Sequence, residues 1–530
     1  MRRILLCAVL FMCASAQGQA LNASSTKVER LGKVFFPVSC SASEQRAFNR
    51  AVALLHSFQY AGAESAFGEI AQKDSNCAMA YWGEAMSLYH ELFDWPDNPT
   101  LKRGNGYLEL ALKIGRKTER ERAYIQAAAA FFQDDPKLDR VSRMTAYSNA
   151  MAQVHQIYPH DVEAAAFYAL SLLPLEDQPG ARGKAVEILE VLFAKEPDNP
   201  GVTHYLIHAT DTPDLAPQGL EAARRYSKIA PSSAHALHMP SHIFSRLGFW
   251  QESISSNLAS ATVAAESTLS GHDNESGYQL HAMHYLLYAY LQMGRDDSAK
   301  RLIDEVRNVP GIDEADVAND GSNMKAIYIM ETHAWGDAEQ LTPSANTEPF
   351  AKMRIHWVRA IAECYHAKPN EAEKEVKELQ DAFSTFQKNH PLASPNNALV
   401  LEGEAWLAAA QGRNEEAVKK MRTAVDADEF SVDDESVPAY ELLGDLYLHL
   451  RQPASALESY EACLKEAPNR FRSLFGAGRS AELVGNKQKA NTYYQLLTRI
   501  MDPGTSRSEL SIAKTFLQNQ QSESKPAQLN

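Results

Sequence analysis

Residues 437–503 repeat themselves. Tyr440, Leu443-Gly444, Tyr447, Ala456, Tyr460 and Cys463 are followed 34 positions later by Leu474, Ala477-Gly478, Ala481, Ala490, Tyr494 and Leu497. A third copy from Ala398 supplies Leu401, Glu404-Ala405, Ala408, Ala417, Met421 and Ala424. This period, with small residues at two fixed places and an aromatic or Met step after the second alanine, describes a helix–turn–helix whose small residues let two helices approach closely. No single unit can bury its apolar face, so the units must stack. Weaker copies run back through the chain: Ala51, Ala63 and Phe67; Ala185, Leu189 and Pro197; Met283, Leu286, Tyr290, Gly294, Ala299 and Ile303. The predicted fold is an all-α helix–turn–helix solenoid.

The units resemble the tetratricopeptide (TPR) repeat, with Gly444, Ala456, Tyr460 and Pro468 nearest its pattern. The whole chain is similar to exported bacterial TPR proteins that carry the segment His-Met-Pro-Ser-His-Ile-Phe, here residues 238–244, a family whose activity is unsettled. The resemblance implies a right-handed superhelix in which the first helix of each unit lines a concave groove. On that face Trp82, Met86, Tyr89, His90 and Tyr288 become anchors for a protein or peptide segment.

Residues 1–20 read as a secretory leader, with Arg2-Arg3, an apolar run from Ile4 to Cys13 and small residues before Ala20. That run is about half of the roughly 20 residues a spanning helix needs, and no later stretch is long and apolar enough. The expected location is the periplasm or cell envelope; acylation at Cys13 is a minor alternative, since bulky Met12 precedes it. The expected divisions are a linker at 21–42, N-terminal repeats over 43–340, C-terminal repeats over 341–503, a capping helix at 504–518 and a polar tail at 519–530. Breaker-rich residues 310–349 predict a loose joint. Of the cysteines beyond the leader, Cys40 and Cys77 start helices in consecutive repeats and are the expected disulfide; Cys364 and Cys463 lie on apolar faces.

Eight of the 17 histidines fall between His204 and His284. His204 and His208 are four apart; His235, His238 and His242 step by three and four; His281 and His284 step by three. On helices each set is a single stripe, and the sets occupy equivalent places in successive units. Neighbouring helix axes lie about 8–10 Å apart, so imidazoles of adjacent units can converge on one ion of the Zn, Cu or Fe type. Asp211 is the candidate carboxylate beside His208. Two other readings stand beside the metal: hydrogen-bonded packing histidines, and a polar floor for a peptide or small ligand. Pro240 disfavours helix at Met239, and a helix starting at Pro240 would leave His235 and His238 in a loop.

With 52 basic against 67 acidic residues the formal charge is −15, which disfavours nucleic acid and anionic membranes as partners. The sequence has no nucleophile-elbow, zinc-peptidase, Cys-x-x-Cys or dinucleotide motif. The leading expectation is therefore a scaffold for a protein or peptide partner with no certain cofactor; no motif calls for an enzyme, and only the histidine cluster could host one. The alternative is a transition-metal protein or metal-dependent enzyme using His204–His284.

Overall fold

The computed structural model describes residues 29–524 except 91, 93–94, 176–177, 272–273, 391–393, 395 and 429–436. The leader, its Cys13 and residues 525–530 of the tail lie outside the described residues. Among those described there are 25 α-helices and no strand, stacked as an all-α solenoid.

The C-terminal units show how the period becomes structure. Helix Ala439–His449 pairs with Pro453–Glu466, and Phe471–Leu483 with Lys487–Ile500. Tyr460, buried from the second helix of its pair, lies against the glycines of two first helices. A Cβ at Gly444 would stand 2.7 Å from its ring and one at Gly476 2.3 Å, while one at Gly478, the repeat of Gly444, would stand 2.6 Å from the ring of Tyr494. The repeated small positions are therefore sockets for the repeated aromatic. Each first helix ends in a left-handed residue, Gly485 (φ +77°) in one unit and Arg451 (φ +57°) in another. The next N–H then turns back to close the helix, Asn486 to the Ala481 carbonyl and Gln452 to that of Tyr447, both at 2.8 Å.

Two expected loose regions are ordered. Residues 29–42 do not form a free linker: Phe36 is buried against Phe48, Trp82 and Tyr124, and the Lys33 N–H donates to the Asp198 carbonyl at 2.9 Å. The expected joint at 310–349 contains helix Glu314–Thr332, started by a capping box in which Asp313 caps and Asp316 reaches back. Good caps at its start outweigh the Asn, Gly and Ser residues inside it.

The array curls onto itself. The turns after residues 466 and 500 meet residues of the middle units, with Phe471 N–H donating to Gln292 Oε1 at 3.0 Å and Asp502 N–H to the Met293 carbonyl at 2.9 Å. The apolar interior forms three bodies, spanning Leu31–Phe244, Trp250–Ile327 and Ala326–Ala513. The histidine-rich segment sits where the first body meets the second. Among the described residues no helix is long and apolar enough to cross a membrane. Cys40 is bonded to Cys77, while Cys364 and Cys463 are buried thiols.

Candidate metal centre

Four helices supply the histidines. Asn199 caps helix Pro200–Thr210, which turns His204 and His208 to one side. Ser233 caps Ala234–His238, and Pro240 opens Pro240–Arg246. Helix Ser276–Gln292 carries His281 and His284. The expected break at Pro240 does not unwind the chain. Met239 keeps helical angles (φ −49°, ψ −36°), and its N–H donates to the His235 carbonyl at 2.9 Å. Proline forfeits only its own donor here, so His235, His238 and His242 remain on one stripe.

The rings form two adjoining cells. In one, a nitrogen from each of His204, His208 and His235 lies within 4.8 Å of the other two; in the second the same holds for His238, His242 and His281. His204, His235, His238 and His242 are buried, and His208 and His281 half-buried. The first helix of the solenoid closes the site: His204 Nδ1 donates to the His56 carbonyl at 2.6 Å. Phe58, in the left-handed region at φ +54°, lays its ring against His204, His208 and His235.

Hydrogen bonds place one proton on each of two rings. His238 Nδ1 donates to Asn257 Oδ1 at 2.6 Å, and the Asn257 amide is oriented because its Nδ2 donates to the Ser253 carbonyl. His242 Nδ1 donates to Asp211 Oδ2 at 2.8 Å. With an Nδ1 proton committed on each ring, His238 and His242 turn their Nε2 atoms toward each other, 3.0 Å apart, a spacing that calls for either one shared proton or one shared metal ion. Two lone pairs at that separation repel unless a cation lies between or beside them. Nitrogens bound tetrahedrally at about 2.0–2.1 Å from one ion stand about 3.3 Å apart, so the spacing is near that of a chelating pair. In the other cell His204 Nε2 stands 3.0 Å from His235 Nε2. Burial pushes the His204 imidazole down to about 3, against the pull of the His56 carbonyl. Burial, and then its histidine neighbours, hold His235 well below the usual value. Both are therefore neutral rings, the form that binds metal.

Two expected ligands take other places. Asp211 points its carboxylate at His242 Nδ1 and at Arg246 Nε (2.9 Å), so it orients a ring from behind. His284 Nε2 pairs with Asp320 Oδ1 at 2.8 Å, away from the six clustered rings. The groove anchors are also corrected. Trp82, Met86, Tyr89 and Tyr288 are at most 2% exposed, Trp82 packing on Phe67, Tyr124 and Phe167, so they are core and not a docking strip. Aromatics at helical spacing look the same in sequence whether they face a groove or a neighbouring helix. His90 remains partly exposed, stacked on Tyr60 at 4.0 Å beside a cleft of about 390 Å³ that Trp95 and Arg103 also line. Asn257, Phe58 and the His56 carbonyl carry no motif and were not legible in the sequence. The break expected at Pro240, by contrast, was legible but misleading.

A family model described as "Tetratricopeptide repeat" matches residues 437–470. Among solved structures, the human IFIT1 dimer with m7Gppp-AAAA is 12% identical at a TM-score of 0.35, covering 80% of this chain and 90% of that one. A tetratricopeptide repeat protein from Parabacteroides merdae is 13% identical at a TM-score of 0.24, covering 67% and 98%. No curated protein matches the chain.

Proposed function

We propose that this all-α solenoid, whose residues 437–470 match the tetratricopeptide repeat, binds a transition metal through the buried imidazoles of its middle repeats. One observation carries the reading: the Nε2 atoms of His238 and His242 face each other at 3.0 Å while Asn257 and Asp211 take both Nδ1 protons. A purely structural pair would have to hold one extra proton between the two rings, balanced by Asp211, whereas a metal ion takes both lone pairs with the rings neutral. His281 supplies the third nitrogen of the set. Three neutral imidazoles suit Zn, Cu or Fe and leave a further coordination position.

We also propose that the protein is exported, a reading supported by the leader-like residues 1–20 and by the Cys40–Cys77 bond, which persists in oxidising compartments. The repeat array is an interaction scaffold. A protein partner would dock on its outer helices, since the inner aromatics are already packed.

Elemental analysis of the protein refolded with and without added metals tests the metal reading. Stoichiometric metal is expected in the wild type and at least a tenfold weaker hold in His242→Ala, with helical content unchanged. Wild-type protein that retains no transition metal from any of the three ions overturns it; the Nε2 pair would then share a proton.

A further inference from the structure

Six histidines are more than one ion needs. We infer that the site is a two-ion centre holding a pair of copper(I) ions, one in each three-imidazole cell; this deepens the metal reading above and rests on it.

The cells are separate but contiguous. Within each, the three ligand atoms share a space no wider than 4.8 Å. Across the boundary the closest pairings of rings are His208 with His242, centroids 6.3 Å apart, and His235 with His238 at 6.4 Å. One ion bound at about 2.0–2.1 Å cannot reach all six nitrogens from either cell. Each cell has its own outer support. The His56 carbonyl fixes His204, whereas Asn257 and Asp211 fix His238 and His242. Nothing about the second cell is needed to hold an ion in the first, so the duplication is a built feature. His235 adds a second sign. It is 5% exposed, and its Nδ1 has no hydrogen-bond partner among the described residues. Leaving a buried nitrogen of this kind unsatisfied is costly, and a ligand or ion reaching it removes that cost.

Charge selects the ion. Imidazole binds metal as a neutral ligand, and the walls are aromatic: Phe58, Tyr226 stacked on His204, Tyr278 beside His235 and Tyr285 beside His238. Asp211 is the carboxylate bonded to the cluster, and Arg246 already balances it. Two divalent ions would put four positive charges in an interior whose Asp211 carboxylate is already paired with Arg246, a heavy desolvation penalty. Two monovalent ions halve that charge, and copper is among the metals that imidazole nitrogen suits. The third acidic-histidine group, Glu339, Glu363 and His366, offers no such cell, because Lys368 already bridges both of its carboxylates at 3.2 and 3.3 Å. Nor do the free thiols compete. Cys364 and Cys463 are buried, which pushes the Cys364 thiol up to about 12 and the Cys463 thiol higher still.

Full-length protein titrated anaerobically with copper(I) against a coloured copper(I) chelator reads the count directly. Two equivalents are expected in the wild type, and one each in His208→Gln and His281→Gln, which alter one half-buried ring per cell. If either variant fails to fold, His235→Gln reports on the first cell and His242→Gln on the second. One equivalent in the wild type overturns the pair and leaves the single-ion reading standing. Two zinc ions held where copper(I) is not retained overturn the ion assignment. No bound metal of any kind removes the parent reading as well.

Discussion

Trp250 Nε1 donates to the carbonyl of Asn469 at 2.8 Å, across 219 positions of sequence. Beside it Gly248, at φ +66°, lies so close that a Cβ would stand 2.3 Å from the Pro468 carbonyl oxygen. These two contacts dock the turn between C-terminal repeats onto the unit that carries His238 and His242. Gly248→Ala should therefore lose the left-handed glycine and force the turns apart, costing about 2–3 kcal/mol. Gly271→Ala has similar φ (+71°) and open space around it, and should cost about 1 kcal/mol. Denaturant melts that give equal losses for the two would contradict the docking role.

The same junction buries Arg470 with two carboxylates. Its guanidinium donates to Glu441 at 3.0 and 2.6 Å, to Glu331 at 2.5 Å and to the Tyr288 hydroxyl, and Arg470, Glu331 and Glu441 are all fully buried. Arg470→Met leaves two uncompensated carboxylates inside the protein, and should destabilise it by about 3–5 kcal/mol. Adding Glu331→Gln and Glu441→Gln to it should recover part of that loss. Calorimetry on the single and triple variants checks the sign of the recovery.

Stability should also depend on Glu84. Burial, and then the charge of Glu64, push its carboxyl up to about 7, and its Oε2 has no hydrogen-bond partner among the described residues. The unfolded carboxyl titrates near the ordinary value of about 4.5, so between there and pH 7 the folded state holds the extra proton. Stability contributed by this group is present at low pH and declines as pH rises through that window. Glu84→Gln should raise the melting temperature at pH 8, have little effect at pH 4.5, and flatten the slope between. A variant whose melting tracks the wild type at every pH would refute the assignment.

Removing the Cys40–Cys77 bond frees a loop of 37 residues. Chain entropy assigns such a crosslink about 3–4 kcal/mol. The double variant Cys40→Ala/Cys77→Ala should show that loss in urea titration, with no further change on adding reductant. The wild type should fall to the same midpoint when reduced.

The period of 34 and its small residues announced paired helices, because a local spacing rule decides which faces meet: Ala456 and Tyr460 are buried where the pattern puts them. The histidine stripes were readable for the same reason. His204 with His208, and His235 with His238 and His242, needed only helical geometry to share a face. His284 and Asp211 were misjudged because a stripe says which side a residue takes, not which neighbour claims it. Asp320 and Arg246 made that choice, from 36 and 35 positions away.

Local pattern alone thus determined helices, units and the imidazole-bearing face, since each depends on residues within a few turns of one another. Long-range closure decided the rest. The carbonyl of His56 reaches His204 across 148 positions, and Asn257 meets His238 from the facing helix. No short-range rule encodes these meetings, because they follow from how many small rotations between successive units add up before the chain curls back on itself. That accumulated curl buries the aromatics expected in an open groove and turns the histidine nitrogens inward on one another.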